Sequence, residues 1–144
     1  MSNSVLINII GGQEYSPGDK DDIKFVTGGE FEKIDKNYYI SYNESEITGL
    51  KGVSTTIKVE EDENRVTLIR KGPLNHEMIF EKGTRHHSIY DTGEGILTMI
   101  VNTNSIENNL TESGGRLFLD YTLEINSEVL SRNSILIEVQ KIQH

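Results

Sequence analysis

The sequence predicts an all-β protein, an antiparallel up-and-down barrel of roughly eight to ten strands. Three observations carry that prediction. The apolar vocabulary is Ile, Leu and Val with no alanine and no tryptophan, which suits a pleated surface and removes the best helix former. Several segments alternate strictly between apolar and polar residues, so one face of each strand is buried and the other wet. The segments are short and bounded by turn residues, and no long amphipathic helix separates them, which argues against a parallel βαβ sheet.

The elements follow in order. Ser4 to Gly11 reads as the first strand. Glu14 to Asp22 is polar and holds Pro17, one of only two prolines, so it reads as an exposed loop. Ile23 to Ile34 is extended, with Gly28-Gly29 expected to mark a bulge or bend. Asp35-Lys36-Asn37 turns into a strand over Tyr38 to Tyr42, and Gly52 to Glu60 is the next. Glu61 to Asn64 forms an acidic turn, Arg65 to Lys71 returns, and Gly72-Pro73 ends it. Met78 to Glu81, His86 to Asp91 and Leu97 to Thr103 follow. Ser105 to Glu112 fits either a continued strand or a short helical turn. Gly114-Gly115 opens Leu117 to Ile125, and Ile135 to Ile142 closes the series.

The alternation assigns faces. Leu117, Leu119, Tyr121, Leu123 and Ile125 share one side of their strand. Val53, Thr55, Ile57 and Val59 do the same, as do Ile135, Ile137 and Val139, and also Tyr38, Ile40 and Tyr42. A chain of 144 residues with 35% hydrophobic content suffices for one core, so residues 1–144 are expected to form a single domain.

Charge narrows the function. The formal net charge is −9, which disfavours nucleic-acid phosphates and anionic lipid surfaces alike. The lack of cysteine excludes a disulfide framework and a thiolate nucleophile. The segment Met1 to Ile10 has no basic leader and breaks its apolar run at Asn8, so it reads as neither a signal peptide nor a membrane span. A cytoplasmic location is expected.

The chemistry-bearing residues are few. His86 and His87 are adjacent and point to opposite strand faces, so they do not share one metal. No HxH or HExxH spacing occurs with His76 or His144, and no metal or cofactor is expected. No GxSxG, Walker or dinucleotide fingerprint is present. Ser88 and His86 lie two apart on one face with Asp91 pointing away, which makes a poor triad. The reading is not an enzyme.

A pocket is the better candidate. Two loop lengths are open at Lys82-Gly83. A three-residue loop places Met78 and Phe80 on one face with His86, Ser88 and Tyr90; a two-residue loop places them with Arg85, His87 and Ile89. The first joins an apolar wall to a few polar groups, the requirement for a small-ligand pocket. Arg70 continues the series Val66, Leu68 and so points inward near a strand end. There it serves either as a ligand-binding cation or as a cap bonded to carbonyls. Candidate ligand-binding residues are Arg70, His86, Ser88, Tyr90 and Tyr121.

The ordered segments Thr48-Gly49-Leu50-Lys51-Gly52, Thr55 to Val59, Thr67 to Gly72, Met78 to Gly83, Ser88 to Thr92, and Gly114-Gly115 with Leu119-Asp120-Tyr121 resemble the YwiB-like family. These are small bacterial proteins classed as a domain of unknown function. The resemblance covers most of the chain. It implies a calycin-like (lipocalin-like) barrel in a Gram-positive cytoplasm, and it brings no activity, substrate or site residue. Two functions compete: a barrel that holds a small, partly apolar ligand, and a filled structural or interaction barrel that forms a homodimer.

Overall fold

The computed structural model describes residues 3–15, 18–44 and 50–142. These form ten strands: β1 (Asn3–Tyr15), β2 (Asp19–Ile34), β3 (Asn37–Asn43), β4 (Ser54–Glu60), β5 (Arg65–Lys71), β6 (Asn75–Glu81), β7 (Arg85–Asp91), β8 (Ile96–Thr111), β9 (Gly114–Ile125) and β10 (Glu128–Lys141). Each pairs with its sequence neighbour, and β1 also pairs with β10, so the sheet closes on itself. Every pairing is antiparallel. The expected up-and-down barrel is the observed one. Among the described residues no helix is long and apolar enough to cross a membrane.

The barrel is lopsided. Strands β3 to β7 have seven residues each, whereas β1, β2, β8, β9 and β10 have 12 to 16. The long strands explain where sequence reading fell short. The polar segment taken as a loop is largely strand: Glu14 pairs with Lys20 on one side and Arg132 on the other. Opposite charges facing across a ladder stabilise strands that carry no apolar stripe. The tip at Ser16-Pro17 lies outside the described residues, as do Thr48, Gly49 and His144. The last strand likewise starts early, after a turn at Asn126-Ser127 in which both residues have positive φ (53° and 67°). Leu130 is the extra residue of a bulge there, which breaks the alternation that pattern reading relies on. Ser105 to Thr111 continues β8 past a second bulge at Asn104, so the helical alternative is excluded.

Gly28-Gly29 is not a bulge. The β1–β2 register runs unbroken through it. Gly29 is required by close approach instead, since a Cβ there would collide with the Ser41 carbonyl oxygen and lie 2.5 Å from Ile7 Cδ1.

The two ends differ. One carries the β2–β3, β4–β5, β6–β7 and β8–β9 turns and is packed solid by Phe31, Tyr38, Val59, Phe80 and Leu117, all buried. Phe31 and Tyr38 stack 5.8 Å apart, and Phe80 meets Tyr121 edge to face at 4.7 Å. The other end carries the remaining connections and holds the cavities.

Candidate functional site

The site is a belt set by strand register. Tyr42, Thr55, Arg70, His76, Tyr90 and Leu97 are successive cross-strand partners from β3 to β8. Direct partners point to the same side of a sheet, so one inward row near the open end collects these side chains. Glu44, two residues after Tyr42 and thus on the same face, joins them.

The polar members satisfy one another. The Glu44 side chain is 2% exposed, and its Oε1 accepts a hydrogen bond from Thr55 Oγ1 at 2.8 Å. The same carboxylate acts electrostatically on the neighbouring Tyr42 hydroxyl. Arg70 Nε faces Glu44 Oε1 at 3.8 Å, an ion pair without a hydrogen bond. Arg70 Nη1 lies 3.3 Å from His76 Nδ1, and His76 Nε2 lies 3.0 Å from Ser88 Oγ. Ser88 Oγ donates to the Glu77 carbonyl at 2.7 Å. The hydroxyl takes this role where the β6–β7 ladder, which pairs Asn75–Glu77 with Ile89–Asp91, gives way toward the turn.

Burial and the neighbouring Arg70 cation lower the pKa of His76 to about 4, so its ring is neutral at physiological pH. Burial first, and then the Glu44 carboxylate, raise that of the Tyr42 hydroxyl. Burial pushes Tyr121 up to about 12, against a smaller opposite pull from Arg70. Both phenols therefore stay protonated.

Arg70 lies between two lobes of the lumen. One, a cavity of about 180 Å³, is walled mainly by aliphatic and aromatic side chains, among them Ile9, Phe25, Ile57, Leu68 and Ile137. The other, about 300 Å³, is lined by His76, Tyr90, Tyr121, Met78, Met99 and Asn133, with Asp21 at its edge. Gly11, Ile23 and Arg70 border both. This is an apolar chamber and a mixed chamber meeting at one cation, within the size range of small-molecule sites.

Of the five candidates from sequence, Arg70, Tyr90 and Tyr121 line the cavity. Ser88 faces inward but is fully buried beneath His76. His86 is a correction: it sits at the solid end, where Glu81 Oε1 holds its Nε2 at 3.0 Å. The hairpin adopts the three-residue loop, since His76 pairs with Tyr90 and Glu77 with Ile89, while the Thr84 amide donates to the Glu81 carbonyl. His86 thus has the inward parity but lies on the turn side of its strand, away from the lumen. Arg70 caps through Glu44 and His76 side chains rather than backbone carbonyls. Sequence reading missed Glu44, and it considered His76 only for a metal-ligand spacing that does not occur. Parity was the available signal: Glu44 extends the series Tyr38, Ile40, Tyr42, and His76 that of Met78 and Phe80.

Comparison with known proteins places the chain. It is 30% identical over 111 residues to the uncharacterized β-barrel protein YwiB of Bacillus subtilis (strain 168), covering 77% of this chain and 75% of that protein. Its fold superposes on the crystal structure of the ywiB protein from Bacillus subtilis with a TM-score of 0.86, over 99% of this chain and 94% of that one, at 23% identity. Residues 7–137 match the domain of unknown function DUF1934. The chain belongs to the DUF1934 family, with its strands closed into the ten-stranded barrel described above.

Proposed function

We propose that this protein is a non-enzymatic binding module of the bacterial cytoplasm, holding a small, partly apolar molecule at the open end of a calycin-like barrel. Arg70 orients the molecule's polar group, with Tyr90 and Tyr121 beside it, and the aliphatic chamber takes its apolar body. The observation that carries this reading is the position of Arg70 between an apolar and a mixed chamber in a barrel whose opposite end is filled by buried side chains. A protein that needs only a stable barrel gains nothing by setting a guanidinium beside unfilled space.

Native mass spectrometry of the purified protein tests it. A small molecule released on collisional activation, and lost in an Ile135→Phe variant that fills the aliphatic chamber, is the expected result. A mass equal to the bare chain, with no binding when apolar probes are titrated in, overturns it.

A second reading, an interaction barrel that pairs with a second copy, is favoured by one observation. Ile96, Leu97, Val129 and Leu130 all lie at the open end and are 71%, 43%, 59% and 42% exposed. The same spectrum reports the oligomer, and a monomer at high concentration removes the dimer.

A further inference from the structure

The binding reading above leaves the chemistry of the ligand open, and the charges around the lumen narrow it. We infer that the polar group held at Arg70 is neutral, a hydrogen-bond acceptor such as an amide or ester carbonyl, and that Glu44 is the residue that rejects carboxylates. This rests on the lumen being a ligand site.

Count the charges first. Among the described residues that line either chamber, Arg70 is the one lysine or arginine, and Glu44 and Asp21 are the carboxylates. Arg70 and Glu44 cancel, so no unpaired cation is left to offset a ligand carboxylate, and Asp21, exposed at the rim, supplies none. A carboxylate ligand would lose its water beside the Glu44 carboxylate, inside walls too apolar to replace that hydration. Like charges brought together in a desolvated site repel strongly.

Glu44 does not step aside. Its side chain is 2% exposed, and it is held by Thr55 Oγ1 at 2.8 Å and paired with Arg70 at 3.8 Å. Moving it would strand the Thr55 hydroxyl and separate the ion pair. An anion therefore adds to Glu44 instead of replacing it.

The demand for an acceptor remains. Arg70 only donates, and Tyr121 keeps its proton through neutral pH. The Arg70 side chain is 19% exposed and borders both chambers. His76 adds no free donor, since its Nε2 is engaged by Ser88. What fits is an oxygen with lone pairs and no charge, on an apolar body that reaches past Phe25 and Ile57. An amine is disfavoured because its ammonium, which only donates, would lose its water and face the Arg70 donors.

Three probes of one chain length decide the matter: octanamide, octanoate and octylamine. Each is titrated into the full chain at neutral pH, and the methyl NMR signals of Ile9, Ile57, Ile135 and Ile137 are followed. Octanamide should bind at least about tenfold more tightly than either octanoate or octylamine. Glu44→Gln, which keeps the shape and one acceptor, should erase or reverse the preference for octanamide over octanoate. Octanoate or octylamine binding wild type as tightly as octanamide overturns the inference and leaves the lumen as a ligand site. An unchanged preference in a folded Glu44→Gln variant overturns the role of Glu44. Should that variant fail to fold, the ordering in wild type decides alone. Undisturbed methyl signals with all three probes overturn the binding reading itself, and this inference with it.

Discussion

Arg70 and His76 are cross-strand partners whose side chains meet at 3.3 Å, and the contact fixes the protonation of the histidine. A guanidinium only donates, so His76 Nδ1 must be the bare, accepting nitrogen. Ser88 Oγ gives its proton to the Glu77 carbonyl, so it accepts from His76 Nε2–H. The ring is one neutral tautomer with both nitrogens engaged, and protonating Nδ1 would set two cations face to face.

That arrangement predicts acid sensitivity. The folded pKa of His76 is about 4 against 6.5 for a free histidine, so between these values the unfolded chain binds the extra proton. Stability attributable to this group is full above about pH 6.5, falls as pH drops toward 4, and changes no further below. The loss is on the order of 3 kcal/mol. Urea unfolding of wild type and His76→Gln at pH 7, 5.5 and 4 should show the wild-type midpoint falling more steeply. Parallel midpoints refute the assignment.

Glu44 and Arg70 should be strongly coupled. Arg70→Met leaves a buried carboxylate without its cation and should destabilise by about 3 kcal/mol or more. Adding Glu44→Gln to that background should recover part of the loss, so the double variant is more stable than Arg70→Met alone. A thermodynamic cycle from denaturant melts measures this, and strict additivity would show that the pair is energetically idle.

Ser88→Ala removes a hydroxyl that serves two partners. Both the Glu77 carbonyl and the His76 N–H lose their bond in a fully buried position. The expected cost is about 2 kcal/mol, with faster amide hydrogen exchange in β6 and β7. Ser88→Thr, which keeps the hydroxyl, should recover part of the loss.

Two adjacent glycines should respond unequally. At Gly28 the nearest atom to an added Cβ is the Val5 carbonyl oxygen at 4.0 Å, so Gly28→Ala should change stability by less than about 0.5 kcal/mol. At Gly29 the added carbon strikes the backbone of Ser41 and the side chain of Ile7, so Gly29→Ala should cost about 2 kcal/mol or more. Equal melting temperatures for the two variants would contradict the close packing of β1, β2 and β3.

Strand faces were legible where the alternation is unbroken: Val53, Thr55, Ile57 and Val59 are all buried, as are Leu117, Leu119 and Tyr121. Strands that carry a bulge or charged pairs in place of an apolar stripe were not legible. Glu128 to Ser134 disappears at Leu130, and Asp19 to Asp22 looks like a loop until its partners are known. The site was half legible. Arg70, Tyr90 and Tyr121 follow from parity, but parity alone does not say which end of a strand a residue occupies, and this misplaced His86. Glu44 and His76 were hidden for another reason. A polar residue in phase with an apolar series is visible only when the series is extended past its last apolar member.

The seam between β1 and β10 has a consequence for how the chain reaches its fold. Asn8 and Glu138, bonded across that seam, are 130 residues apart in sequence. During synthesis β1 can pair with β2 at once, but its second edge has no partner until β10 leaves the ribosome. Until then any sheet that the nascent chain forms keeps two unpaired edges and an uncovered inner face. Such a chain folds slowly and is vulnerable to edge-to-edge association while it waits. Making the protein is thus a timing problem, and closure is its last step.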